Sequence, residues 1–186
     1  MKKLIQLSLL LALTLGYSFQ SQAALLIEPV LGYNVSTKLD IEDVDNYSGG
    51  TGAAFGGRLG YQNFGLQVGI DYLRSSIDMH DDVFDKNVTM SEWAGFVGYE
   101  FPLFLRVYAG YIFSATGETE MGGLDADFSE GSGTKMGVGF TGLPFVDINF
   151  EFRTGKFDKY EASGIELDQE VKYQSIMVGI SVPFTI

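Results

Sequence analysis

The chain has 186 residues, no cysteine, and 24 acidic against 12 basic residues, for a formal net charge of −12. That balance excludes a nucleic-acid binder, because phosphate recognition needs a basic footprint, and without cysteine no disulfide can stabilise the fold. After the N-terminal segment no stretch reaches the ~18 consecutive apolar residues of a membrane helix.

Residues 1–23 read as a cleaved secretory signal peptide. Lys2 and Lys3 give the positive start, Leu4 to Leu15 is a short apolar run, and Ser21-Gln22-Ala23 supplies small residues for cleavage. Residues 24–186 then form one domain that opens on a strand. Leu25, Ile27, Pro29, Leu31, Tyr33 and Val35 share one face; Glu28, Val30, Gly32, Asn34, Ser36 and Lys38 share the other. An acidic loop, DIEDVDNYSGG, leads to a second strand over Thr51 to Gln62. Asn63 marks a tight turn, and the third strand sets Phe64, Leu66, Val68, Ile70 and Tyr72 opposite Gly65, Gln67, Gly69 and Asp71.

The loop SSIDMHDDVFDKNVT precedes the clearest hairpin, Ser91 to Phe113, folded back at Phe101-Pro102-Leu103. Each arm is about 11 residues, the length of a tilted strand crossing a bilayer. After a third loop, ATGETEMGGLDADFSEGSG, the sixth strand carries Met136, Val138 and Phe140 on one face. Leu143-Pro144 turns into a seventh strand with Val146, Ile148, Phe150 and Phe152. The loop GKFDKYEASGIELDQ leads to a last strand with Ile176, Val178, Ile180, Val182 and Phe184. Eight strands, short turns at one end and long loops at the other predict an all-β, eight-stranded antiparallel up-and-down transmembrane β-barrel.

Charge follows parity. Eighteen of the 24 acids fall in the four long loops, and the remaining Glu28, Asp71, Glu92, Glu100, Asp147 and Glu151 all lie on the polar faces of strands. Lys38, Arg58, Arg106, Lys135 and Arg153 lie there too; Arg74 and Lys172 fall on the apolar face, but at loop ends. A midplane Arg or Lys facing lipid would cost ~2–4 kcal/mol, so an uncharged outer face suits a membrane barrel. A water-soluble lipocalin-like barrel would reverse the polarity. Aromatic residues sort to both ends, as interfacial belts do. Tyr61, Phe64, Tyr99, Phe101 and Phe184 lie by the short turns, and Phe55, Tyr72, Trp93, Tyr111, Phe113 and Phe152 nearer the loops.

The pattern resembles the small eight-stranded outer-membrane barrels of the OmpA transmembrane domain, OmpX and OmpW group. Met177-x-Gly179-x-x-Val182-x-Phe184 resembles the signal read by the barrel-assembly machinery, although Thr185 and Ile186 follow the aromatic on which family members usually end. The resemblance implies a place in the outer membrane, with lipid and lipopolysaccharide as surroundings; the expectation is a monomer without cofactor and without an OmpA-like wall-binding domain after the barrel.

Eight strands enclose a lumen just wide enough for side chains. The expectation is an ion-paired interior of Glu28, Arg58, Asp71, Glu92, Glu100, Arg106, Lys135, Asp147, Glu151 and Arg153. The alternative is a narrow wet passage past Gly56, Gly60, Gly65, Gly69, Gly137 and Gly139. A lipid-modifying enzyme would have to centre on His80, the single histidine, which stands in IDMHDDVFD without a serine two residues away. Asp40 to Asn46 and Asp125 to Asp127 offer oxygen ligands but no complete divalent-cation set, so no metal site is assigned. The expected role is envelope integrity or surface interaction through the acidic loops, not catalysis.

Overall fold

Alternation of side chains along extended chain builds this molecule. The computed structural model describes residues 24–41, 47–81, 84–121, 124–162, 165–167 and 170–186; the expected signal segment, 1–23, lies outside them. Seven long strands follow in order: β1 (Ala24–Ile41), β2 (Tyr47–Asn63), β3 (Leu66–Asp81), β4 (Phe84–Phe101), β5 (Leu105–Met121), β6 (Leu124–Leu143) and β7 (Val146–Ala162). Each pairs antiparallel with the next. The last wall is one interrupted strand made of β8 (Ile165–Leu167), β9 (Val171–Ser181) and β10 (Phe184–Thr185). β8 and β9 pair with β7, while β9 and β10 pair with β1, so the sheet closes as an eight-stranded antiparallel barrel.

The long loops expected from sequence are mostly strand. β3 runs to Asp81 and β4 resumes at Phe84; β5 runs to Met121 and β6 resumes at Leu124. The physical reason is visible along β3. Inward residues are Gln67, Gly69, Asp71, Leu73, Ser75, Ile77 and Met79; outward ones are Leu66, Val68, Ile70, Tyr72, Arg74, Ser76 and Asp78. The two-residue period never breaks, but its polarity inverts near Leu73. A strand recognised by an apolar outer face ends at Tyr72, whereas the hydrogen-bonded ladder does not. The 16 residues of β3 reach roughly 50 Å, or about 40 Å of height at a tilt of ~40°, against an apolar band of ~25 Å. The barrel therefore extends well beyond the membrane.

The short turns sit about one residue later than expected. Asn63 pairs with Leu66, so the connection is Phe64-Gly65, with φ of 50° and 80°. Phe101 pairs with Leu105 around Pro102-Leu103-Phe104, and Leu143 pairs with Val146 around Pro144-Phe145. Phe104 (φ 59°) and Phe145 (φ 69°) occupy the left-handed position usually given to glycine or asparagine. A phenylalanine there gives no turn signal in the sequence.

Bulges correct a further expectation. The β1 register shifts between Asn34 and Ser36 against β9 and between Asn34 and Lys38 against β2. An extra residue reverses side-chain parity, so Thr37 and Leu39 turn inward and Lys38, expected inside, is exposed. Similar shifts at Ile112–Ala115 in β5 and at Phe128–Gly131 in β6 keep Ala115 and Phe128 inside.

Candidate functional site

The interior has two storeys. The lower is ionic, and each of the seven long strands contributes to it: Glu28 from β1, Arg58 from β2, Asp71 from β3, Glu92 from β4, Arg106 from β5, Lys135 from β6, and Asp147, Glu151 and Arg153 from β7. All nine are buried. They lie on inward positions because charge is intolerable on the opposite, lipid-facing positions.

Arg106 anchors the lower end. Its guanidinium donates to both Glu28 oxygens at 2.9 and 2.7 Å and to Asn149 Oδ1 at 2.8 Å, with Asp147 at 3.4 Å. Asn149 in turn donates to Ser181 Oγ at 2.8 Å. Arg58 continues the chain, donating to Glu28 at 3.3 Å and Glu151 at 3.1 Å, with Asp71 at 3.7 Å. It lies 4.2 Å from the Tyr108 ring centroid, a cation–π stack in a desolvated place. Lys135 pairs with Asp71 and approaches Glu151 at 3.7 Å. Arg153 pairs with Glu92, donates to Asn34, and reaches Glu151 at 3.6 Å; Tyr173 donates to Glu92 at 2.5 Å. The pairs form one ladder from Asp147 up to Tyr173. Of the ten residues expected in this network, Glu100 stands apart. It lies half-buried at the short-turn rim, where Gln62 donates to it at 3.3 Å.

The upper storey is apolar, a correction to the expectation of a polar inner face throughout. Leu39, Ile77, Met79, Val88, Met90, Ile112, Phe128, Phe157, Val171 and Tyr173 form one buried cluster. Phe157 packs against Phe128 and Tyr173 at centroid distances of 5.6 and 5.3 Å. Ile77, Met79, Val88, Phe128 and Phe157 come from segments that read as loops in the sequence, and Ile112 from the strand-five arm of the Ser91 to Phe113 hairpin. Four further lumen residues join the network: Tyr108 and Asn149 share a face with charged residues two positions away, Arg106 for the first and Asp147 and Glu151 for the second, whereas Asn34 and Tyr173 have no such neighbour to signal them.

The glycines expected to leave a passage do not line open space. A Cβ on Gly137 would run into the Tyr108 ring, and one on Gly139 would meet Asn149 at 2.9 Å and Arg106 at 3.3 Å. A void of about 10 Å³ beside Arg58, Asp71, Lys135 and Glu151 has room for about one water.

Outside, the belt residues Tyr61, Phe101 and Phe184 at one end and Trp93, Tyr111, Phe113 and Phe152 at the other are exposed; Tyr99 and Tyr72 are half-buried against ring neighbours. Tyr72 meets Trp93 with its ring tilted by 46° at 4.9 Å, and Tyr99 meets Phe101 edge-on at 4.8 Å. His80 pairs in register with Asp85 on β4, and its side chain lies outside those described. Of the acidic segments, residues 42–46 lie outside the described residues. Among the described residues no three His, Asp or Glu side chains converge as a metal cage.

The model of the outer membrane protein beta-barrel domain family matches residues 8–184. The chain belongs to that family. The barrel accordingly resides in the outer membrane. No curated protein sequence matches it. Among solved structures, Neisserial surface protein A is similar at 17% identity and a TM-score of 0.57, covering 86% of this chain and 97% of that one. Ail, the attachment invasion locus protein of Yersinia pestis, is similar at 15% identity and a TM-score of 0.58, covering 86% and 98%. A complex of Ail with the heparin analogue sucrose octasulfate gives 12% identity and a TM-score of 0.59, covering 88% and 100%. At such identities the likeness is one of fold.

Proposed function

We propose that this family member is a non-conducting, non-enzymatic scaffold of the outer membrane, serving envelope integrity or contact at the cell surface. The observation that carries this reading is the filled lumen: an ionic ladder below and a packed apolar cluster above. Ions crossing it would have to break buried pairs and then enter hydrocarbon, which is costly twice over. What remains for interaction is the outside of the extension, where Asp40, Asp78, Glu118, Asp127, Asp158 and Glu161 are exposed. Ail is named for attachment and was solved with a heparin analogue; the acidic extension here argues for a different partner chemistry, cationic or bridged by divalent cations to lipopolysaccharide phosphate. The chain works as a monomer, delivered by its N-terminal signal and inserted by the barrel-assembly machinery through its last strand.

Planar-bilayer recording tests the reading. The purified barrel gives no current steps above bare membrane, while neutralising Arg58, Arg106 and Arg153 together serves as the control for a disturbed lumen. Regular steps from the unaltered protein would replace this reading with the narrow pore. Cells lacking the protein become more sensitive to detergent, and resupplying it restores resistance.

A further inference from the structure

We propose that the short-turn rim of the barrel is embedded in the membrane, with Phe64, Phe104 and Phe145 inserted among the lipids of the adjoining leaflet instead of facing periplasmic water. Each of the three turns holds a phenylalanine at positive φ, a conformation bulky residues rarely adopt and one that persists only where something favours it. All three rings are exposed, Phe64 and Phe104 at 59% and Phe145 at 85%. Leu103 at 83% and Ile186 at 81% complete an apolar rim. Residues 101–105 and 142–146 contain no charged side chain, nor do Phe64, Gly65 and Leu66.

The backbone fits the same environment. Lipid leaves no water for unpaired peptide groups, and two of the turn carbonyls, those of Gly65 and Phe104, are satisfied by the neighbouring hairpin. The Glu100 amide donates to the Gly65 carbonyl at 2.8 Å, and the Thr141 amide donates to the Phe104 carbonyl at 2.9 Å. Leu25 and Ile186 exchange two backbone hydrogen bonds at 2.9 and 3.0 Å.

Height points the same way. On β3 the outward apolar run from Leu66 to Tyr72 spans six steps, roughly 20 Å along the strand and about 15 Å of height at a tilt of ~40°. On β7 the run from Val146 to Phe152 is equally short. A barrel normally presents an apolar band ~25 Å tall. The apolar rim is continuous with the lipid-facing surface directly above it and lengthens these two runs, which are shorter than the outward runs Ile27 to Val35 on β1 and Leu105 to Phe113 on β5.

The test uses tryptophan as a depth probe. In a Trp93→Phe background, Leu103→Trp, Phe104→Trp and Phe145→Trp are placed singly in the full mature barrel. Each is folded into phosphatidylcholine vesicles whose acyl chains carry bromine at one of several depths, and folding is checked by heat-dependent gel mobility. The expected result is blue-shifted emission, quenching strongest by bromine nearest the headgroup, and little quenching by aqueous iodide. Iodide quenching without quenching by any brominated lipid would overturn the proposal. So would rings that become shielded only in native outer membranes, which would assign the rim to a protein partner. Leu103 is outside the left-handed region, so its variant reads out depth even if a phenylalanine replacement fails to fold.

Discussion

The same strands build two barrels of opposite polarity, stacked end to end. In the lower one, charged side chains such as Arg106 and Glu28 are hidden and Val68, Ile70, Val138 and Phe150 are exposed; in the upper one, Ile77, Met90 and Phe157 are hidden and Ser76, Asp78 and Asp158 are exposed. Between β3 and β4 the backbone ladder runs through both without interruption, and the bulges in β1, β5 and β6 shift its register without ending it. Polarity therefore reports the solvent around each segment, lipid or water, and strand continuity does not depend on it. The lower storey must satisfy its buried charges by pairing; the upper one can use ordinary hydrophobic packing because its outer face is wet.

Four substitutions test that contrast in order of expected size. Arg106→Leu strips Glu28 of two charge-assisted hydrogen bonds and leaves Asp147 without its nearby guanidinium; breaking a buried pair from one side costs ~3–5 kcal/mol. Urea unfolding of the barrel in lipid vesicles should register that loss. Phe157→Ala empties the centre of the upper cluster and should cost about 3–4 kcal/mol in the same assay. A loss confined to the upper storey would appear there as faster proteolysis of the extension with the membrane part intact. Val68→Arg places a charge on the lipid face of β3 and should cost ~2–4 kcal/mol, falling toward the rim. Ser76→Arg, eight residues along on the same face of the same strand, should change stability by less than about 0.5 kcal/mol, because that surface is already wet. If Ser76→Arg proved as harmful as Val68→Arg, the boundary between the two storeys near Leu73 would have to move upward.

Much of the lower storey was legible from the chain. Period-two alternation fixed which side chains share a face, and the exclusion of Glu28, Arg58, Asp71 and Arg153 from the apolar face marked the interior. The extension was not legible, because reading strands by an apolar outer face treats Arg74, Asp78 and Lys172 as loop. The signal was present nonetheless: Ile77 and Met79 alternate with Ser76 and Asp78 in the opposite sense. Lys38 was misplaced because a bulge leaves no compositional mark, and the turns were displaced because phenylalanine is not a turn former.

What the sequence determined alone is local: strand alternation, the sidedness of charge, the asymmetry of short and long connections, and through these the membrane barrel. Closure of the tertiary structure decided the rest. Which carboxylate meets which guanidinium depends on the register around the whole ring, so Arg58 on β2 reaches Glu151 on β7 across the lumen and no spacing along the chain encodes that meeting. The bulges and the inversion of polarity follow likewise from what lies across the lumen and outside the wall, and neither is a property of neighbouring residues.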